Sequence, residues 1–230
     1  MKYIYCHPLF DERKCSHRFS YQLSESFRQK NRILKRFDYK GTGEADGDFS
    51  KVTLNSIQKD LQRRISCSKV CLIGTRLGAS IAFNACCHLN FFSQTLVLIE
   101  PVINGEEYIN FLLRKQRLKD AITGNKTDFS EDNDFLNIEG YKTSTILLEQ
   151  IGKLNLTEKI QNLTIKKNIR IVQISRSKKI KDKLAEFANA IQKKDINISI
   201  ETFDLPLFWE RLPSNNYSPL TKQITEWCCE

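Results

Sequence analysis

Short, nearly continuous apolar runs alternate along this chain with segments whose apolar residues recur every three or four positions. The runs at Lys2–Cys6, Lys69–Ile73, Thr95–Ile99 and Ile169–Ile174 read as strands, Arg32–Asp38 reads as a further, more polar strand, and Ile196–Phe203 alternates with period two. Between them, Phe19, Leu23 and Phe27 share one face of a helix over Ser16–Lys30. Leu54, Ile57, Leu61 and Ile65 do the same over Thr53–Ile65, and Ile180, Leu184, Phe187 and Ile191 over Lys178–Lys193. Gly78–Leu89 is apolar on most sides, as a helix packed centrally against a sheet would be, and a last helix covers Ser218–Cys228. Strands alternating with helices predict an α/β fold: a mostly parallel sheet in the order 2-1-3-4-5-6, covered on both faces.

The rhythm breaks over residues 102–166. Helical pieces near 106–122 and 143–152 flank a polar loop, Gly124–Asp134, rich in Asn, Asp, Thr and Ser. The expectation is one domain over 1–230 with a cap-like helical insertion at 102–166, covering the carboxyl edge of the sheet.

Composition narrows the functional classes. At 230 residues, 40% apolar and 27% charged, the chain can bury a full core as an ordinary globular domain. No apolar run approaches the roughly 18 residues of a membrane span. Met1–Cys6 is too short for a signal peptide, so the expected compartment is the cytoplasm. The net charge of +9 is spread along the chain, with a denser patch at Arg176, Lys178, Lys179, Lys181 and Lys183. It reads as a solvated lysine-rich surface or as attraction to an anionic partner; no nucleic-acid module accompanies it. The eight cysteines include no Cys-x-x-Cys pair and read as reduced thiols, several of them in core segments. With three histidines at 7, 17 and 88, no metal-ligand spacing appears, and no cofactor is expected. Gly41-Thr42-Gly43 fails as a dinucleotide fingerprint because position 46 is Asp.

The chemistry concentrates in Lys69-Val70-Cys71-Leu72-Ile73-Gly74-Thr75-Arg76-Leu77-Gly78-Ala79-Ser80, a strand, a glycine-flanked turn and a helix start. This is the layout of the Gly-x-Ser-x-Gly nucleophile elbow, with both glycines present and Arg76 at the serine position. A guanidinium stays protonated and cannot act as a nucleophile. Together with His7-Pro8-Leu9-Phe10-Asp11-Glu12, Arg36-Phe37-Asp38 to Gly47-Asp48-Phe49, and Glu100-Pro101-Val102-Ile103-Asn104-Gly105, this segment resembles the α/β-hydrolase-fold proteins associated with bacterial exosortase and exopolysaccharide loci. The likeness spans about residues 5–118 and continues more faintly through Gly140–Ser144 and Phe208-Trp209. Those proteins also tend to carry Arg-Leu-Gly-Ala at the elbow, which implies that Arg76 is a family trait. Set against a full hydrolase, the chain starts at what would be the third strand, so a six-stranded sheet is expected, with an exposed edge through which a homodimer could form.

Where such a fold places its acid, after the strand at 169–174, the chain reads Ser175-Arg176-Ser177; where it places its base, it reads Asp204–Trp209 without a histidine. Two roles follow for Arg76. It either forms an anion site with the Leu77 N–H and the N–H groups of Leu9 or Phe10, or it pairs with Glu100 and plugs the old site. The ligand-binding candidates are therefore Arg76, Leu77, Leu9, Phe10, Glu100 and Trp209, and the catalytic candidates, should the protein be an enzyme, are Glu100 and His7. The expected function is a non-catalytic hydrolase-like protein, a pseudoenzyme, that binds an anionic acyl or glycan-linked ligand or a partner in surface-polysaccharide or lipid biosynthesis. The alternative is an acyl or ester hydrolase or acyltransferase with non-standard groups.

Overall fold

A computed structural model describes residues 1–65, 69–88, 92–124, 134–163, 168–192, 196–211 and 216–229. The chain divides into two compact units, one built from Met1–Phe37, Arg64–Ile103 and Leu156–Glu230, the other from Asp38–Arg63 and Asn104–Asn155.

The first unit holds β1 (Lys2–Cys6), α1 (Phe10–Cys15), α2 (His17–Gln29), β2 (Leu34–Arg36), β3 (Lys69–Thr75), α4 (Leu77–His88), β4 (Phe92–Ile99), α7 (Leu156–Lys159), β7 (Asn168–Ile174), α8 (Asp182–Gln192), β8 (Asn197–Phe203) and α9 (Ser218–Cys229). Its strands form a six-stranded sheet in the order β2-β1-β3-β4-β7-β8, parallel at every pairing. That is the expected α/β architecture and strand order. Alternate residues of the central strands face opposite sides, and both sets are buried: Tyr3, Tyr5, Cys71, Ile73, Val97 and Ile99 on one side, Ile4, Leu72 and Leu98 on the other. The first set packs with Phe19, Leu23 and Phe27 of α2 and with Leu220, Ile224 and Trp227 of α9. α4 packs against β3 and β4 and meets α8 through Phe83 and Phe187, whose ring centres are 5.3 Å apart.

The second unit holds α3 (Leu54–Arg64, all but its last residue), α5 (Gly105–Thr123), the antiparallel hairpin β5 (Phe135–Ile138) and β6 (Tyr141–Ser144), and α6 (Thr145–Gly152). The hairpin and α1 are absent from the sequence-based assignment. The hairpin turns at Glu139-Gly140, both at positive φ, as a two-residue loop between right-twisted strands demands. Asn104 caps α5 by accepting from the Glu107 N–H, and Ser144 caps α6 by accepting from the Leu147 N–H.

Several boundaries move, two of them for a visible reason. β2 is shorter than Arg32–Asp38, because it pairs with β1 through only Leu34, Lys35 and Arg36. α8 starts at Asp182 rather than Lys178: the Lys179 N–H is held by the Ser177 hydroxyl and the Lys181 N–H by the Gln173 amide oxygen, which fixes a turn there. Residues 125–133 of the expected polar loop, Cys67, and Leu89 lie outside the described residues. The described cysteines are all free thiols, and no metal-binding group of His, Cys, Asp or Glu occurs among the described residues. None of the described helices is long and apolar enough to cross a membrane.

Close approach at the start of α4 fixes its seat on the sheet. A Cβ at Gly78 would stand 2.2 Å from the Cys6 carbonyl oxygen and 2.5 Å from that of His7, and one at Gly74 would stand 2.5 Å from Ala79 Cα. Backbone cannot yield as a side chain can, so Gly78→Ala should lose roughly 1–3 kcal/mol or more. We expect a melting midpoint lower by about 5 °C in thermal denaturation followed by circular dichroism; a midpoint unchanged from wild type would show that the approach is not close.

Candidate functional site

The carboxyl ends of β1, β3 and β4 each lead into a residue other than glycine in the left-handed region: Phe10 at φ +56°, Arg76 at +53° and Glu100 at +44°. Such conformations cost about 1–3 kcal/mol each and persist only where the surroundings impose them. At Arg76 the imposition is visible. Its N–H extends the β3–β4 ladder to the Ile99 carbonyl at 2.9 Å, and its own carbonyl accepts from the Ala79 N–H at 3.0 Å in the first turn of α4. Strand therefore passes to helix within one residue, and the side chain of that residue stands at the apex of the bend.

The Arg76 side chain is nearly buried. Nε donates to Glu12 Oε1 at 3.0 Å, and Nη1 donates to the Glu100 carbonyl at 3.3 Å. The guanidinium carbon lies 5.4 Å from the centre of the Trp209 ring, within cation–π range. Glu12 has only 5% of its side chain exposed, against 18% for Arg76, so this ion pair is sheltered from water. Trp209 is itself held edge-on to Phe208, which stacks on Phe19 of α2 at 4.0 Å.

The expected pairing of Arg76 with the Glu100 carboxylate is corrected here. Glu100 meets Arg76 through its backbone carbonyl. Its carboxylate turns instead to β7, accepting the Ile174 N–H at 2.8 Å and the Lys181 ammonium at 2.8 and 2.9 Å. The left-handed backbone at Glu100 directs carbonyl and carboxylate to different partners. The site thus contains two matched ion pairs, Arg76–Glu12 and Lys181–Glu100.

Of the residues singled out from sequence, Arg76, Glu100 and Trp209 come together around the guanidinium. Leu77, the first residue of α4, is fully buried. His7, Leu9 and Phe10 lie on the buried segment that follows β1, with the His7 ring edge-on to Tyr5 at 4.8 Å. The Tyr5 hydroxyl shares a 2.8 Å hydrogen bond with Thr75, and burial pushes this phenol well above its ordinary pKa, so it stays protonated. Sequence reasoning missed Glu12 and Lys181. Glu12 was reachable: it stands two residues into a helix that starts where the chain leaves β1, next to β3 in the predicted strand order. Lys181 lay in view within the basic patch without anything to tie it to Glu100.

No protein-family model and no curated protein matches the chain in sequence. Solved structures match it closely in shape. Est1E from Butyrivibrio proteoclasticus, in a structure with ferulic acid bound, superposes with a TM-score of 0.70 at 16% identity, over 98% of this chain and 87% of that one. A lipase-esterase related protein from Clostridium acetobutylicum gives 0.62 at 15% identity, over 98% and 93%. Alpha/beta hydrolase domain-containing protein 10 from mouse gives 0.60 at 14%, over 98% and 88%. Likeness at this level of identity establishes architecture, and the chain has the α/β-hydrolase fold.

The two functions of Glu100, ion-pair partner and acceptor for a buried N–H, can be separated by substitution. Glu100→Gln keeps an acceptor for Ile174 and loses only the pair with half-exposed Lys181, so it should cost less than about 1 kcal/mol. Glu100→Leu strands the Ile174 N–H and should cost roughly 2–3 kcal/mol. Urea denaturation of the two variants checks this ordering; equal losses would contradict it.

Proposed function

We propose that this protein uses the α/β-hydrolase scaffold for binding rather than hydrolysis, with Arg76 standing where the nucleophile of such an enzyme would be. The observation that carries this reading is the conformation of Arg76: left-handed at the apex of the strand–helix bend, with its guanidinium held by Glu12, the Glu100 carbonyl and Trp209. A guanidinium in that place supplies donors and charge and no nucleophile. The segments after β7 and β8, Ser175-Arg176-Ser177 and Asp204–Trp209, lack the carboxylate and the histidine of a triad. In serine hydrolases, removal of the triad costs about six orders of magnitude in turnover.

The ligand class follows from what Arg76 offers. The bend leads into the N-terminus of α4, where helix N–H groups favour an anion. The guanidinium keeps 18% of its side chain open to solvent. We read Glu12 as the internal counter-ion that neutralises Arg76 until an anionic acyl or glycan-linked ligand displaces it. The sequence resemblance to exosortase- and exopolysaccharide-associated proteins supports a setting in bacterial surface-polysaccharide or lipid biosynthesis.

Two assays test this. The wild-type protein should release 4-nitrophenol from 4-nitrophenyl acetate and butyrate no faster than buffer. Octanoate, used as a probe anion in calorimetric titration, should bind the wild type, lose its binding in Arg76→Ala, and bind about tenfold tighter in Glu12→Gln, where the competing charge is gone. Ester turnover abolished by His7→Ala or Glu100→Ala would overturn the reading in favour of an enzyme. Octanoate binding indifferent to Arg76→Ala would remove Arg76 from the ligand site.

A further inference from the structure

α5 carries an exposed stripe that the core does not use. Tyr108, Leu112, Gln116 and Asp120 form its buried side. On the other side Phe111, Leu118 and Ile122 are 45%, 60% and 84% exposed, and the helical repeat places them, seven and four residues apart, in one line. At about 1.5 Å per residue the line is roughly 16 Å long. Isolated exposed apolar residues are ordinary, but three in register on one helix are not. Arg114 and Lys119 are exposed in the same stretch, while the acidic residues Glu106 and Glu107 sit at the far end, in the first turn. Lys115, on the same arc, pairs with Glu139 of the hairpin, and Asp120 is turned inward to accept from Gln116 at 2.7 Å. The solvent-facing C-terminal half of α5 therefore presents apolar tips among cations.

We propose that this face of α5 docks the protein on an anionic membrane surface, lying in the headgroup plane. A helix that adsorbs at such an interface combines an apolar line with flanking Lys and Arg. Their aliphatic stems follow the apolar surface while the charges reach lipid phosphates. Charge complementarity selects this occupant over a second copy of the chain. Self-association through the stripe would set Arg114 and Lys119 of one copy near those of the other, which like-charge repulsion opposes. A nucleic-acid backbone would satisfy the cations and leave the apolar tips without a partner. The attachment is peripheral and reversible, and it is independent of the role given to Arg76.

Sedimentation with lipid vesicles tests the proposal. The wild-type protein should pellet with phosphatidylcholine vesicles containing about 30% phosphatidylglycerol, much less with pure phosphatidylcholine, and should be released as salt rises to about 0.5 M. The triple variant Phe111→Ser/Leu118→Ser/Ile122→Ser and the double variant Arg114→Glu/Lys119→Glu should each bind at least tenfold more weakly. All of these positions are exposed, so the variants should melt with the wild type. Failure of the wild type to bind the anionic vesicles, or unchanged binding by the two α5 variants, would overturn the proposal. So would a wild-type dimer in analytical ultracentrifugation that the triple variant converts to monomer, since the stripe would then belong to a second copy.

Discussion

A guanidinium at the apex of a strand-to-helix bend must be neutralised or it cannot be buried, and the Arg76–Glu12 pair meets that requirement. An isolated charge moved out of water costs several kcal/mol even after relaxation, and breaking a buried pair by deleting one partner costs about 3–5 kcal/mol. Arg76 is also held in the left-handed region, where a residue with a Cβ is strained. Both costs fall on one residue, and the surrounding structure offsets them. Glu12 supplies the counter-charge, the Glu100 carbonyl a second acceptor, and Trp209 a ring face.

The sheet makes that arrangement geometrically possible. β1, β3 and β4 are adjacent and parallel, so their carboxyl ends lie side by side; β3 and β4 release the chain through the left-handed Arg76 and Glu100, and the segment after β1 enters α1 through the left-handed Phe10. The segment after β1 passes directly under the start of α4, which is why Gly78 has no room for a Cβ. That passage brings α1, and Glu12 with it, to the end of β3. On the other side the Glu100 carboxylate ties β4 to β7 through the Ile174 N–H and to Lys181 before α8. Two ion pairs, one on each side of the β4 end, neutralise Arg76 on one side and Glu100 on the other.

The fold was legible because parallel strands buried on both faces declare themselves as apolar runs and their crossover helices as three-and-four spacing. Phe19, Leu23 and Phe27, or Leu184, Phe187 and Ile191, could be placed from spacing alone, and their burial agrees. The bend was legible from Gly74 and Gly78, whose reason is the close backbone approach seen here. What escaped was set by local chemistry without periodicity. α1 is six residues long, too short to show a helical stripe. The β5–β6 hairpin was concealed because Thr143 and Ser144 also read as the start of the following helix, although Glu139-Gly140 between alternating residues was a usable turn signal. The choice of Glu12 over Glu100 as partner of Arg76 depends on which way a left-handed residue sends its side chain. Linear sequence does not encode that direction in any simple pattern.

The coupling between Arg76 and Glu12 is the quantity on which this account turns. A double-mutant cycle with Arg76→Ala, Glu12→Ala and the combined variant, followed by urea denaturation, measures it directly. The account predicts that the double variant is less destabilised than the sum of the two single variants, by about 2–3 kcal/mol, because the second substitution removes a charge already left unpaired. Losses that add to within about 0.5 kcal/mol would contradict it, and would mean that the guanidinium at the bend is neutralised by something other than Glu12.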